Sequence, residues 1–434
     1  MIILLALSLA LTAQSTTINL HVASDTGSDL TGVGTPHQPF ATIAAAATAA
    51  RQHPHAKVDI LIQPGTYPSF ALEPEDSGTS PDTQRTYIGA SSNLMGKTAT
   101  IDGGIEIPAS LFHLNIELTK QTRNSNLKVF TADLTSLNIK PSSLGTIVAG
   151  GCVHGCTDMP SGLSFGTSSS MRLARWPNVQ QVSKLETNSY VHGGLPCGAG
   201  CQTLSADNAK TSNINKWSDE KNAWIHGYFE WDWADCYRKI NQVTTTTTTT
   251  SSFNITFTPA TETPKNNSRF YILNALSELD DAGEFYMEGN GTTLHLIPPS
   301  DIIGPPNTWT SGPTLSLKEA VVNISNTKNV VLKNLNIVNG RGVGIDAEHV
   351  ENVTITACNV SHHGQQGIFS TNATRITIEN NDVREVGCAG IHAHGGSALT
   401  LERGKLIILS FFTTLCLLLT CSLFLLHCFF FFFV

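Results

Sequence analysis

Two carboxylates sit at i and i+2 in the segment Val343-Gly-Ile-Asp346-Ala-Glu348. On a strand that spacing puts both side chains on one face, roughly 7 Å apart. Paired acids at such a separation suit glycosidic bond cleavage, in which one protonates the leaving oxygen while the other activates water or attacks. Phe369 and Thr371 fall 23 residues later in the same two phases, and His392 and His394 another 23 later. Stacked as neighbouring strands, these segments would make an outward patch about 10 Å tall, from two strand spacings. It would hold two acids, an aromatic ring on which a sugar can stack, and two imidazoles that titrate near neutral pH as acid, base or metal ligand. Outward Asp, Glu and His are also ordinary solvated residues, so everything depends on the elements that carry them.

Other clusters invite the same weighing. Glu230, Asp232 and Asp235 alternate with Trp231 and Trp233, a mixture suited to carbohydrate, although packing into a core is the plainer reading of Trp-x-Trp. Arg172 and Arg175, beside Trp176-Pro-Asn178, could grip an acidic sugar or form a structural ion pair. His362-His363 is expected on a turn, without a chemical role. Seven cysteines precede residue 405: Cys152, Cys156, Cys197, Cys201, Cys236, Cys358 and Cys388. Two C-x-x-x-C pairs near His154 and His192 have a zinc-like look. Disulfides are the expected use in a secreted chain, with connectivity undetermined and the odd count implying one free thiol or a partner missing downstream.

The elements that position these residues come from a repeat of 23. Val322, Ile345, Ile368 and Ile391 share one phase, and Val330, Val353, Ile376 and Leu399 a second. Leu332, Ile355, Ile378 and Leu401 share a third, and Ile337, Val360 and Val383 a fourth, while Gly344, Gly367 and Gly390 are expected at turns. Short β-branched runs alternate at the strand period, with Asn and Gly between them. No i, i+3, i+4 stripe survives within a repeat, so helical solenoids are excluded. The pattern predicts an all-β parallel β-helix in which each coil stacks on the last.

The chain has 434 residues, 14% of them charged, 35 glycines and a net charge of −8. With no cluster of Lys and Arg, a nucleic-acid partner is not expected. No nucleotide, flavin or haem motif is present. Ile2 to Leu11 followed by Ala13-Gln14-Ser15 reads as a signal peptide over residues 1–15. Sequons at Asn254, Asn266, Asn290, Asn323, Asn352, Asn359 and Asn372 agree with secretion and glycosylation. From Leu406 to Val434 no charged residue occurs, and this tail has three readings. It is a transmembrane anchor holding the β-helix outside, a lipid-anchor signal, or the translation of a retained intron beginning near Gly404. On the intron reading the solenoid is cut short in its fourth coil.

Pro39 to Arg51 reads as an Ala-rich helix and Val58 to Ile62 as a buried strand before Pro64-Gly65. Together with Ala23-Ser-Asp25, Gly27-Ser-Asp29, Gly34-Thr35, Pro39-Phe-Ala-Thr-Ile43 and Gln63-Pro-Gly-Thr-Tyr67, this opening resembles that of the right-handed parallel β-helix, pectin-lyase-like proteins. The resemblance implies that the helix caps the solenoid. Met171 to Asn178, Trp224 to Asp235, Phe270 to Asn274, Glu278-Leu-Asp280 and Gly283-Glu284 are similar to segments of the β-helix proteins grouped with glycoside hydrolases. The implied order is a cap with first coils over 16–104, an inserted β-rich subdomain over 105–320, repeats over 321–404 and the tail over 405–434. The expected partner is a polysaccharide or other glycan. The catalytic candidates are Asp346, Glu348, His392 and His394, and the substrate-binding ones Phe369, Trp231, Trp233 and Arg175. No cofactor is expected for a hydrolase. A lyase would need calcium, and a non-catalytic glycan-binding protein neither.

Overall fold

Alternation of β-branched residues dictates the strands Lys328–Lys333, Glu351–Thr356 and Thr374–Glu379, which pair in parallel with Val330, Val353 and Ile376 in one file. A computed structural model of the chain describes residues 17–90, 98–124, 126–151, 159–165, 169–179, 189–246, 252–289 and 291–394, with short strands at 398–402, 405–409 and 414–415. The architecture is a parallel β-helix with three faces. The first face runs Thr17–Val22, Lys57–Ile62, Arg85–Gly89, Lys328–Lys333, Glu351–Thr356 and Thr374–Glu379. The second holds Gly65–Pro68, Ala99–Asp102, Asn336–Gly340, Asn359–His363 and Asp382–Val386. The third holds Phe70–Leu72, Ala320–Ser325, Val343–Glu348, Ile368–Thr371 and Ile391–His394. The ladders Val322/Ile345/Ile368 and Leu332/Ile355/Ile378 are buried inside, each aliphatic side chain contributing about 1.5–3 kcal/mol relative to exposure.

The helix Ile43–Ala50 closes one end. Thr42 caps it by accepting the Ala45 N–H, and Asp29 accepts the Ala41 and Thr42 N–H groups. Ile43, Ala46, Ala47 and Ala50 pack onto the solenoid core, covering apolar surface that the first coil would otherwise expose.

The corners are made differently from the sequence expectation. Gly344, Gly367 and Gly390 are not left-handed turn residues. Gly344 lies within the strand Val343–Glu348, where an added Cβ would meet the Gly367 carbonyl oxygen at 2.5 Å. Close approach of the next coil is what requires glycine there. The turning is done by four columns of left-handed residues: Asn326/His349/Asn372, Asn329/Asn352/Arg375, Asn334/Ala357/Asn380 and Asn339/His362/Glu385, with φ between 50° and 62°. Asparagine tolerates this region better than other non-glycine residues. Side-chain amides tie coils together, Asn352 donating to Asn329 and Asn359 to Asn336, each at 2.7 Å.

The fourth coil also departs from expectation. The period puts Leu399 and Leu401 beneath Ile376 and Ile378. Instead Lys405–Leu409 runs antiparallel beside Thr374–Glu379, Ile408 opposite Ile376 and Leu406 opposite Ile378, with Ala398–Glu402 outside it. An open strand edge accepts whichever apolar strand satisfies its backbone groups, and Leu406-Ile-Ile-Leu409 is more apolar than Ala398 to Glu402. The third face keeps its register, Ile391 lying beside Ile368. The proposed leader and most of the apolar tail fall outside the described residues. Among the described residues no helix is long and apolar enough to cross a membrane.

Between Ala99–Asp102 on the second face and Ala320–Ser325 on the third, the chain leaves the solenoid. Its largest sheet is antiparallel, ordering Arg175–Trp176, Arg269–Leu273, Trp224–Tyr228, Cys236–Thr245, Ser252–Thr258 and Cys201–Ser205. A second sheet contains a hairpin, Glu284–Met287 with Thr293–Leu296. The segments carrying the glycoside-hydrolase likeness lock to one another. Glu278 is fully buried, paired with Arg123 and receiving the Trp217 indole N–H (2.8 Å) and the Asn213 backbone N–H (2.7 Å). Glu284 accepts the N–H groups of Arg175, Asp280 and Asp281, and Asn178 donates to Asp280 at 2.9 Å. Burial raises the pKa of all three carboxyls. Their partners are structural, so these motifs hold the subdomain together.

Candidate functional site

On the third face the predicted patch assembles in the predicted register. Asn323, Asp346, Phe369 and His392 form one file, and Ser325, Glu348, Thr371 and His394 the next. Ile345 and Ala347 are buried inward, leaving Asp346 half-buried and Glu348 exposed. The Phe369 and His392 rings meet edge to face with centroids 5.2 Å apart. Asp346 Oδ1 is buried with no hydrogen-bond partner. Burial, and then the neighbouring Glu348 charge, raise the Asp346 carboxyl above the ordinary aspartate range. A buried acid with a raised pKa beside an exposed second carboxylate is the asymmetry that divides proton donor from base or nucleophile. His394 joins the file through its backbone pairing; its side chain lies outside the described residues.

A second constellation was not anticipated. Where the insert leaves the solenoid, a cleft of about 710 Å³ opens between them, lined by Ser164, Ser170 and Arg172 from the insert and by Asn339, His362 and Glu385 from the coils. His362 and His363 close the strand Asn359–His363, His362 standing in the left-handed column that turns the chain there. The left-handed conformation of Asn339, His362 and Glu385 aims this column at the cleft. His362 Nε2 lies 3.0 Å from a Glu385 carboxylate oxygen, and the Ser170 hydroxyl donates to Glu385 at 2.8 Å. Behind them Asn339 and the Gly104 N–H both donate to Asp102, whose pKa burial raises. The signal available in the sequence was the 23-residue spacing of Asn339, His362 and Glu385. The aliphatic phases of the repeat do not reveal this column, because it is polar and lies outside them.

His363 is structural, as the sequence suggested for that pair. Its Nδ1 accepts the Gly340 N–H at 3.0 Å and its Nε2–H donates to the Ile337 carbonyl at 3.1 Å. Complete burial lowers its pKa to about 3, so the ring is neutral. Arg175 is buried too. Its guanidinium bonds the Pro177 and Ser189 carbonyls and lies 3.7 Å from the Tyr271 ring centre. That corrects its assignment to substrate binding, because those contacts keep it away from solvent. Trp231 and Trp233 correct the core-packing expectation in the opposite sense, being exposed. Both lie between Trp224–Tyr228 and Cys236–Thr245, where strand alternation no longer sets direction.

Among the sequons, Asn266 and Asn372 are exposed. Asn352 and Asn359 spend their amides in the ladders just described, which corrects them as glycan acceptors, since a conjugated amide could not stack there. Asn254 and Asn323 are half-buried within strands, and Asn290 lies outside the described residues. Cys197 and Cys201 form a disulfide, Cα to Cα 5.1 Å, and Cys236 and Cys388 each belong to a further disulfide. Among the described residues the free thiol is the buried Cys358. Cys152, Cys156 and His154 of the zinc alternative lie outside the described residues. Among the described residues no group of three or more His, Cys, Asp or Glu side chains converges on a metal position.

Comparison with known proteins places the fold. Residues 291–406 match the family model described as right handed beta helix region. A solved structure described as a glycoside hydrolase superimposes with TM-score 0.57 over 87% of this chain and 77% of its own length, at 14% identity. A structure described as the complex of XylC with xylose aligns with TM-score 0.38 over 87% of this chain and 57% of that one, at 12% identity. No curated protein sequence matches the chain.

Proposed function

We propose that this right-handed parallel β-helix protein hydrolyses glycosidic bonds of a polysaccharide on the third face of its solenoid. One observation carries the reading: Asp346, half-buried, with an unpartnered buried oxygen and a raised pKa, shares a strand face with the exposed Glu348. In this reading Asp346 protonates the leaving glycosidic oxygen, and Glu348 activates water or attacks the anomeric carbon. The Phe369 ring supports a sugar face, with His392 packed edge-on against it. His394, next to Glu348 in its file but one, is the further candidate to assist. The glycoside-hydrolase description of the superimposed structure agrees in reaction class. Secretion is part of the proposal, supported by the apolar leader and by the Cys197–Cys201 disulfide, a bond that persists in oxidising compartments.

The test is release of reducing ends from a panel of soluble polysaccharides by the full chain and by Asp346→Asn and Glu348→Gln. Hydrolysis by the parent with loss in both variants supports the assignment, and parent-level turnover in both sinks it. Glu385 offers a second location for the same chemistry, favoured by its left-handed strain and its place in the cleft. Loss of turnover in Glu385→Gln, with Asp346→Asn and Glu348→Gln unaffected, would move the reaction there.

A further inference from the structure

The inserted subdomain displays aromatic surface that its fold does not use. Trp231 and Trp233 are 45% and 66% exposed, with ring centroids 6.2 Å apart and planes inclined by 29°. Neither belongs to the subdomain core, where Trp176 and Trp217 pack instead. Single exposed apolar residues are ordinary, but two stacked indoles form a contiguous patch. The Ala234 N–H donates to the Trp231 carbonyl at 3.1 Å, which closes the turn between the rings. The Lys265 ammonium sits 4.4 Å from the Trp231 ring centre.

Beside the pair opens a cavity of about 470 Å³, in which Glu230, Asp232, Lys265 and Arg269 meet the rings of Tyr190 and Tyr228. The Arg269 guanidinium lies 3.9 Å from the Tyr228 ring centre, and its Nε is 3.1 Å from Asp232. A second Arg269 nitrogen donates to the Asp232 carbonyl at 2.8 Å. The Tyr190 ring packs edge-on against both Tyr228 (6.0 Å) and Tyr271 (5.4 Å). Flat rings are thus held rigidly next to planar polar groups. That is the complement of a pyranose, whose faces are apolar C–H surfaces and whose rim carries hydroxyls. The cations are already engaged, Arg269 with Asp232 and Lys265 with Trp231, and the two acids of the cavity repel anions. The ligand that fits is uncharged.

We propose that the Trp231–Trp233 shelf and its adjoining cavity form a second glycan site, which binds a neutral polysaccharide on the inserted subdomain apart from the acidic face of the solenoid. The indoles support successive sugar faces, and Glu230, Asp232 and Arg269 hold the hydroxyls. For its ligand class the site rests on the carbohydrate reading above, but it does not require hydrolysis. Its role is to keep a long substrate attached while the reacting bond is elsewhere, which raises the local concentration of that polymer at the solenoid.

The Asn266 sequon lies on the rim of the cavity, so the test uses the full chain carrying Asn266→Gln, with no attached glycan there. Affinity electrophoresis and tryptophan fluorescence are read against galactomannan, arabinoxylan and mixed-linkage β-glucan, with polygalacturonate as the charged control. The expected result is retardation by at least one neutral polymer, weakened tenfold or more by Trp231→Ala with Trp233→Ala, while the thermal midpoint of that variant stays put. Equal retardation of parent and double variant, or retardation by polygalacturonate alone, overturns the proposal. So does binding that vanishes in Asp346→Asn/Glu348→Gln with the tryptophans intact, since the glycan would then sit on the solenoid. Binding that survives those two substitutions, where the parent chain itself releases no reducing ends, supports the shelf and defeats the hydrolase reading alone.

Discussion

The third face of the solenoid and the aromatic shelf of the insert both set carboxylates among rings, yet they are built in opposite ways. On the solenoid, direction follows from position. Parallel register carries Asp346 over Phe369 over His392, and alternation turns Ile345 and Ala347 inward. On the insert, Trp231 and Trp233 have the same i, i+2 spacing, but they occupy a turn between antiparallel strands. Their exposure is decided by what else fills the core, namely Trp176 and Trp217. Spacing of two fixes a face only while the backbone is extended and paired. The solenoid therefore declares its outward residues in one dimension, and the insert does not.

Substitutions can break that contrast, the largest effect belonging to the solenoid face. Asp346→Asn should lower kcat by about 10²–10⁴-fold, the usual contribution of a positioned proton donor. Initial-rate kinetics on a soluble polysaccharide measures it. The pH profile sharpens the same point. Asp346 must be protonated to donate, and its raised pKa puts the alkaline limb of activity above the pH at which an ordinary aspartate loses its proton. Because the Glu348 charge is only the second cause of the shift, Glu348→Gln should lower the Asp346 pKa while leaving it elevated. Carboxyl titration by NMR reads this without needing turnover.

Stability should separate the two regions next. His363→Ala removes the partner of two buried backbone groups and should cost about 3 kcal/mol in urea unfolding. Gly344→Ala presses a methyl group against the Gly367 carbonyl and should cost about 1–3 kcal/mol. His363 also sets an acid limit. Its pKa falls from 6.5 unfolded to about 3 folded, so the unfolded chain takes up a proton that the fold refuses. That stabilisation is complete above pH 6.5 and is lost progressively as pH falls toward 3. His363→Gln should remove one proton's worth of slope from a plot of unfolding free energy against pH. The smallest effect belongs to the shelf. Trp231→Ala and Trp233→Ala should each change stability by no more than about 0.5 kcal/mol, visible as unchanged thermal midpoints.

The sequence alone determined the solenoid and the contents of its third face. A repeat of 23 with β-branched alternation admits one stacking register, and register fixes which side chains share a file. The Ala-rich helix Ile43–Ala50 was legible for the same reason, because local pattern and local structure coincide. Tertiary structure decided the rest. Only packing could show that Arg175 is buried and that Glu278, Asp280 and Glu284 bind the insert together. Only the strand edge could show that Leu406 and Ile408 take the place expected of Leu399 and Leu401. The cleft at His362 and Glu385 needs two segments far apart in sequence, Ser164 to Arg172 and Asn339 to Glu385, brought face to face. Periodicity reports which way a residue points along its own strand. What stands opposite it depends on contacts between distant parts of the chain, and no one-dimensional pattern carries that information.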